Sequence, residues 1–571
     1  MKKATKPSAS RPEVAKNRIH VDAVQLSLFQ GLFAAAAEEM GATLQRAAHS
    51  PNITERLDHS CAIFDSHARL VAQAAHIPVH LGSMPRAVEA ALEVGPLGPG
   101  DIVLLNDPFA GGTHLPDLTL VSGVFLDEKK PASGRRARVD ARGAAPHAKF
   151  YVASRAHHAD VGGAAPGSLP IAREVYEEGL RIPPVFLVRG GVVQRDVLAL
   201  LLANVRTADE RRADLAAQQG AQATGERRLQ ELSARVGAET LVRAADALLR
   251  ATERRSRAAL KRLPRGTWRA EDVLDGDGLV PGEVKIRATL TIGGGRARVD
   301  FTGSAPQTRG PVNAVAAVTR AATLYVVRCV LAEDIAVNDG LLRCIEVIAP
   351  AGSVVNPLPP AAVGAGKVET SQRIVDTVFR AFAQALPGRV PAASNGTMNN
   401  LLIGGTDPRT GRAFAYYETL GGGHGAGPTW DGESAMQAHM TNTRNTPIEA
   451  LEHAYPVHAV ATRIRRGSGG KGRHTGGDGI ERVLEMRADA RVTVISERRA
   501  RGPWGLAGGE DGQPGVTVVR EVATRGKLRK LPAKFTFDLR KGDVLTVASP
   551  GGGGYGRPRA PKPSRRSVRR G

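Results

Sequence analysis

The sequence predicts a multi-domain protein of mixed α/β (α+β) class, with glycine-rich loops and a β-rich C-terminal region. Three observations carry this. At 571 residues the chain exceeds what one hydrophobic core supports, and its length implies about two to four domains. Long stretches with apolar residues at three- and four-residue spacing alternate with short apolar runs bounded by turn residues, the respective signatures of helices and strands. And 65 glycines, against an aromatic content of 4%, indicate a turn-rich chain in which most glycine-rich loops are expected to be turns.

In order, residues 1–20 form a basic arm. A long amphipathic helix is predicted from Val21 to His49, with Leu26, Leu28, Phe29, Leu32, Phe33, Met40 and Leu44 recurring at three- and four-residue spacings, ended by Ser50-Pro51-Asn52. Glu55 to Gln73 reads as a β-hairpin turning near Ser66-His67, with Asp58 at the start of its first strand. His76 and His80 fall in a loop, followed by a helix from about Pro85 to Val94. Ile102–Leu105 and Phe150–Ala153 read as buried strands. Ile182–Leu187 is extended, and Arg195 to about Leu263 is helical. In that helical stretch Asn204, Arg206, Asp214 and Gln218 could face a cleft, although for each one singly a solvated helix face is the simpler reading. A composition shift at Leu263-Pro264 divides a 21–263 region from a 264–556 region. The latter holds paired strands from Val284 to Phe301, a helix from about Ala314 to Ala332, a strand pair opening at Asn338, a helix through Ala385, and short strands with glycine turns.

Composition narrows the function classes. Hydrophobic content of 42% and charged content of 23% are globular values. No run of about 18 apolar residues predicts a membrane span, and no apolar segment follows the N-terminal lysines to form a secretory signal. Cys61, Cys329 and Cys344 are scattered and odd in number, which favours a reducing cytoplasm over a disulfide framework. The net charge of +22 is concentrated in the 1–20 arm, a 128–149 insert and a 557–571 tail. These Pro-, Ala- and Ser-rich segments read as disordered, and they lack the interleaved aromatics of a nucleic-acid module. A basic RNA-binding scaffold is therefore the weakest of three function classes.

Chemistry concentrates at two predicted strand ends. Asn106-Asp107-Pro108-Phe109-Ala110-Gly111-Gly112-Thr113-His114-Leu115-Pro116-Asp117 follows one strand, and Arg155-Ala156-His157-His158-Ala159-Asp160 follows the other. Imidazole and carboxylate at both suggest a divalent-metal centre of N and O ligands, with Zn²⁺, Mn²⁺ or Fe²⁺ left open. Such an ion activates water or polarises a carbonyl. Cys61 and Ser60 stand beside His59, but strand neighbours point to opposite faces, so a covalent nucleophile is not expected. Gly364-Ala365-Gly366-Lys367 resembles a phosphate loop superficially. Ala361 and Val368 replace the Gly and Ser/Thr that such a loop requires, so no ATP site is expected in the chain.

The motifs ERLDHSCAIFD, LLNDPFAGGTHLPDLTLV, SRAHHADVGG, EGLRIPP, DFTGSAPQ, VETSQRIVD, SNGTMNN, HMTNTRNTPIEALE, SGGKGRHTGGDG and SPGGGGYG, in that order from about residue 20 to 556, resemble the hydantoinase B/oxoprolinase family. The resemblance implies metal ligation by Asp58, His114, Asp117 and His157. It leaves His158 and Asp160 to orient a ligand or move protons. It implies ATP, with Mg²⁺, on a separate A-type subunit, so that the chain is one part of a hetero-oligomeric cyclic amidase opening a hydantoin or lactam ring. The alternative within the family is an α-type subunit of an ATP-dependent ketone carboxylase. One departure stands out: Lys367 occupies a position where the family leads one to expect Asn.

Overall fold

The computed structural model describes residues 22–75, 77–80, 82–126, 147–331 and 334–558. The expected basic arm at 1–20, nearly all of the 128–149 insert, the tail from residue 559, and His76 lie outside the described residues.

The N-terminal part is built on one antiparallel sheet of seven strands: β1 (His59–Asp65), β2 (Leu70–Ala75), β3 (Ile102–Leu105), β4 (Asp117–Val124), β5 (Phe150–His157), β6 (Val185–Arg189) and β7 (Val192–Val193), in the order β2-β1-β5-β4-β3-β6-β7. β1 and β4 are buried along their whole length, which requires cover on both faces. On one face lie Cys61, Ile63, Val152 and Ala156, against the helices Ala23–Ala47 and Ala208–Val236. On the other, Ala62, Phe64, Val121 and Ala153 meet the helix Met84–Leu92. The first helix starts where Asp22 accepts the Gln25 N–H at 2.8 Å while the Gln25 side chain accepts the Asp22 N–H, a reciprocal cap. Its fully buried Phe33 and Leu44 each contribute about 1.5–3 kcal/mol of burial.

The helix Ala208–Val236 departs from the solvated face expected of it. Asp214 and Gln218 are fully buried. The Gln218 and Gln222 amides donate to the carbonyls of Leu118 and Leu120 on β4, at 3.1 and 2.6 Å. The polar residues thus dock this helix on the sheet by satisfying strand carbonyls.

Beyond residue 263, β8 (Gly266–Leu274), β9 (Val284–Gly293), β10 (Arg296–Asp300) and β11 (Ile345–Ile348) form a second sheet against the helices Ala316–Leu331 and Ser371–Ala385. The strand pair expected at Asn338 is instead a helical turn, Asp339–Leu342. Asn338 caps it by accepting the Gly340 N–H at 3.0 Å, and β11 then joins β10 in parallel. β12 (Asn400–Asp407), β13 (Arg412–Thr419), β16 (Ala490–Ile495) and β19 (Lys534–Leu539) make a third sheet. β14 (Val457–Arg465), β15 (Gly479–Met486), β17 (Val516–Arg520), β18 (Leu528–Leu531) and β20 (Val544–Ala548) make a fourth.

Glycines such as Gly411, Gly467 and Gly542 of this region have the positive φ of turns, as expected, but one group of glycines does not. Gly423, Gly477 and Gly552 have no left-handed φ. Their backbones are in direct contact, with the Gly477 N–H donating to His424 O at 2.9 Å and the Gly552 N–H to Gly477 O at 2.8 Å. A Cβ on Gly552 would lie 1.9 Å from His424 O. The missing side chain here allows close backbone approach.

Candidate metal centre

Three neighbouring strands of the first sheet, β1, β5 and β4, bring their functional ends together. Asp117 opens β4 and pairs in register with His157, which closes β5, while His59 opens β1 opposite Ala156. His114 lies in the loop before β4, and Asp58 immediately precedes β1.

That loop is held from several sides. The Asn106 side chain donates to Leu115 O and Leu180 O at 2.7 and 2.9 Å and accepts the Ile182 N–H at 2.7 Å. Asp107 accepts the Phe109 N–H and an Arg181 N–H. Arg155, buried on β5, donates to Thr119 and Ser83 hydroxyls at 2.9 and 2.7 Å and reaches Gly111 O. Burial lowers this guanidinium to about 10. Gly112 has no room for a side chain: its Cβ would stand 2.4 Å from Asn106 O.

His114, Asp117 and His157 are fully or almost fully buried and form a triangle of donor atoms. Its edges are 3.1 Å from His114 Nε2 to Asp117 Oδ1, 3.1 Å from His114 Nε2 to His157 Nδ1, and 3.3 Å from His157 Nδ1 to Asp117 Oδ1. A metal bonded at about 2.0–2.1 Å in tetrahedral geometry holds its ligands roughly 3.3–3.4 Å apart. The triangle therefore fits one face of a divalent-metal site. His114 Nδ1 faces Gly364 O at 3.4 Å, which assigns its proton to that side and leaves the Nε2 lone pair facing the triangle. The ring of His157 stacks on Tyr417 of β13 at 4.8 Å. The Tyr417 hydroxyl is tied to Asn400 at 2.9 Å, and the Arg56 guanidinium lies over the Tyr417 ring at 4.4 Å.

Asp58 stands outside the triangle. Its buried Oδ1 has no hydrogen-bond partner, and its carbonyl accepts the His157 N–H at 3.0 Å. Burial raises its carboxyl above the usual range, against the lowering pull of Lys367 and Arg56. An unpartnered buried carboxylate oxygen and an unpartnered His157 Nε2 show that this centre's polar capacity is not met by the surrounding protein.

His158 and Asp160 are not brought to the triangle. Successive strand residues face opposite ways, so His158 turns from His157 toward the helix Ala208–Val236 and meets Gln218 Oε1 at 2.9 Å. Burial lowers its imidazole to about 4. Asp160 is saturated by the N–H groups of Gly162, Gly167 and Arg206 and by the Arg206 guanidinium at 2.8 Å. Neither side chain hydrogen-bonds His114, Asp117 or His157. Cys61 points into the core, and burial pushes its thiol far up.

Two residues at the centre carry no such role in the sequence reading. His80 sits 3.4 Å from Asp117 Oδ2 and 3.0 Å from Ser60 Oγ, and burial drops it to about 3. Lys367, on a single π-helical turn (Gly366–Thr370), places Nζ 2.7 Å from Asp117 Oδ1 and 3.2 Å from His114 Nε2. Burial alone would raise the Asp117 carboxyl, but the Lys367 ammonium and the imidazoles outweigh it and hold it well below the usual range. Burial, then the lysine charge, lowers His114. Sequence spacing offers no signal for Lys367, which lies 250 residues from Asp117.

The sequence profile described as hydantoinase B/oxoprolinase matches residues 22–558. The 5-oxoprolinase 1 of Arabidopsis thaliana is 39% identical over 96% of this chain, which spans 43% of that protein; the chain thus covers less than half of the relative's length. The B-type subunit of a "Putative D-/L-hydantoinase" from Pseudomonas sp. (strain NS671) is 28% identical, over 95% of this chain and 92% of its own. Among solved structures, the ATP-dependent caprolactamase from Pseudomonas jessenii superposes with a TM-score of 0.84 at 28% identity, covering 94% of this chain and 91% of that one. An acetone carboxylase structure shares the fold, with a TM-score of 0.83 at 19% identity over 93% of this chain and 75% of that one.

Proposed function

The chain belongs to the hydantoinase B/oxoprolinase family, and from that premise we propose that it is the metal-binding B-type subunit of an ATP-dependent cyclic amidase. Its substrate would be a hydantoin or lactam ring, with ATP and Mg²⁺ handled by a separate A-type subunit. The observation that carries the reading is the buried His114–Asp117–His157 donor triangle at the convergent ends of β1, β5 and β4. The structural likeness to a caprolactamase over nearly the whole of both chains supports the hydrolytic branch.

A lactam carbonyl is a poor electrophile, and ATP-dependent activation of its oxygen makes ring opening accessible. A divalent metal bound at the triangle would supply Lewis acidity beside the activated carbon. His114, Asp117 and His157 would hold it, with Asp58 as the fourth ligand. Tyr417 fixes the ring plane of His157, and Gly364 O fixes the tautomer of His114. Burial keeps these imidazoles neutral in the neutral pH range, the form that ligates.

The phosphate-loop lookalike at Gly364–Lys367 and a second Gly-Gly-Lys run, Ser468-Gly469-Gly470-Lys471, both support placing ATP elsewhere. The Val363 and Gly364 N–H groups both donate to Glu178, and the Gly366 N–H to Pro311 O. In the other, Gly469 donates to Asp478 and Gly470 to Gly552 O. Amides spent inside the fold do not cradle a phosphate.

The test pairs the chain with an A-type subunit and follows ATP-dependent ring opening of 5-oxoproline, hydantoins and caprolactam, beside ketone plus bicarbonate. Ring opening that requires both subunits and ATP, and that His114→Ala abolishes, is expected. Carbon–carbon bond formation from bicarbonate with no ring opening would assign the carboxylase branch. Turnover unaffected by His114→Ala would remove the triangle from the mechanism.

A further inference from the structure

The position of Lys367 carries an inference beyond the ligand set, and it rests on the metal reading above. Its Nζ lies 2.7 Å from Asp117 Oδ1 and 3.2 Å from His114 Nε2, two corners of the donor triangle. A neutral imidazole has one acceptor lone pair. With Nδ1 of His114 facing Gly364 O, the lone pair on Nε2 is the one that a metal would need, and it is the one that receives the lysine N–H. The same holds for Asp117 Oδ1, whose neighbours at 2.7–3.3 Å are already Lys367, His114 and His157. A dication at bonding distance from both atoms would also sit against a buried ammonium, since the lysine side chain is 4% exposed.

The backbone does not relieve this conflict. The turn that carries Lys367 is anchored on one side by Glu178, which accepts the Val363 and Gly364 N–H groups at 2.8 and 2.7 Å. Gly366 packs so closely that a Cβ there would stand 1.8 Å from Asn313 O. With the turn's backbone held, relief of the conflict on that side falls to the lysine side chain.

We propose that Lys367 is an internal competitor for the metal: its ammonium and a divalent cation occupy the His114–Asp117 donors in alternation, so that this chain takes up metal only as the lysine side chain withdraws. The site is preformed without metal, neutralised by a cation of the chain's own, and its metal affinity is set by residue 367.

The experiment compares the full-length wild type with Lys367→Met, which keeps the length without the charge, and Lys367→Asn, which is short and polar. Dissociation constants for Zn²⁺ and for Mn²⁺ are measured by competition with a chromophoric chelator, with bound metal counted by elemental analysis. Far-ultraviolet circular dichroism identifies any variant that fails to fold, and the other variant then carries the comparison. Affinity tighter in the variants by about 10–100-fold is expected, the range over which groups touching metal ligands act. Adding His114→Ala to either variant should abolish the gain. Equal dissociation constants in wild type and variants, still lost on His114→Ala, would overturn the competition while leaving the metal site intact. No metal bound by any of the three proteins would overturn both.

Discussion

Asp117→Asn in the metal-free protein tests the electrostatics of the centre most directly. The carboxylate and the Lys367 ammonium are both buried and 2.7 Å apart. Their gross attraction is about 6 kcal/mol at an effective dielectric near 20. Removing one partner of a buried pair costs about 3–5 kcal/mol, because the remaining charge stays desolvated and unpaired. An asparagine also fails geometrically. Asp117 accepts from Lys367 on Oδ1 and from the Thr113 hydroxyl on Oδ2, whereas an amide accepts on one side only. The assay is hydrogen exchange, in chelator, of peptides covering 114–124 and 150–158, which reports local opening of β4 and β5. Asp117→Asn should lower their opening free energy by about 3 kcal/mol or more. Lys367→Met in the same background should restore a large part of it, since an apolar replacement of the whole pair is often neutral. A loss below about 1 kcal/mol, or no coupling in the double-mutant cycle, would refute the pairing of these residues.

Three further outcomes follow from the same structure. His80 and His158 are held at about 3 and about 4 by burial, so the unfolded chain binds more protons below about pH 6.5. Metal-free stability should fall as pH drops from 6.5, by about 2 kcal/mol per histidine at pH 5; a flat urea-denaturation profile between pH 7 and 5 would contradict this. Glu178 is raised to about 8 by burial, so its contribution is present below about pH 4.5 and lost as pH rises toward 8. Glu178→Gln should therefore gain stability relative to wild type by roughly 1.4 kcal/mol per pH unit across that window, and a constant difference would place the carboxyl in water. Gly112→Ala would drive a Cβ against the Asn106 and Asp107 carbonyls. It should cost about 1–3 kcal/mol and reduce bound metal, so unchanged elemental analysis and denaturation would show that the loop has slack.

The sequence exposes the parts of the centre that are local. His114 and Asp117 share one loop, and His157 ends a strand whose apolar run is visible. Composition, strand runs and ordered motifs thus lead to the mixed fold and to three of the residues that converge. What stays hidden is long-range. Lys367 and Tyr417 reach the centre from elements far along the chain, and neither spacing nor periodicity announces which side chain a distant π turn will aim inward. His158 and Asp160 show that adjacency in sequence is not adjacency in space. Adjacent to His157 in sequence, they look like its helpers, but strand alternation sends His158 to Gln218, and a tight loop spends Asp160 on backbone amides and Arg206. The polar helix face at Asp214 and Gln218 is unreadable for a related reason. A glutamine docked on strand carbonyls and one in water have the same sequence signature, because only the partner differs.

The glycines meet the same limit. A glycine in a turn supplies a positive φ, and a glycine between touching backbones supplies the absence of a Cβ; composition cannot separate the two. Gly111 is of the first kind, with φ 90°. Gly423, Gly477 and Gly552 are of the second, and their hydrogen bonds join the segments around residues 424, 477 and 552 into one layer. From this layer the chain turns back through Leu420, whose N–H donates to Met398 O at 3.0 Å, to Thr419 at the end of β13. Two residues earlier on that strand, Tyr417 stacks on His157. The glycine layer is thus continuous along the chain with β13, the strand that carries the ring stacked on His157 and that pairs along its length with β12. Alanine at Gly552 would set a Cβ 1.9 Å from His424 O, and it should lower stability in urea denaturation by about 1–3 kcal/mol.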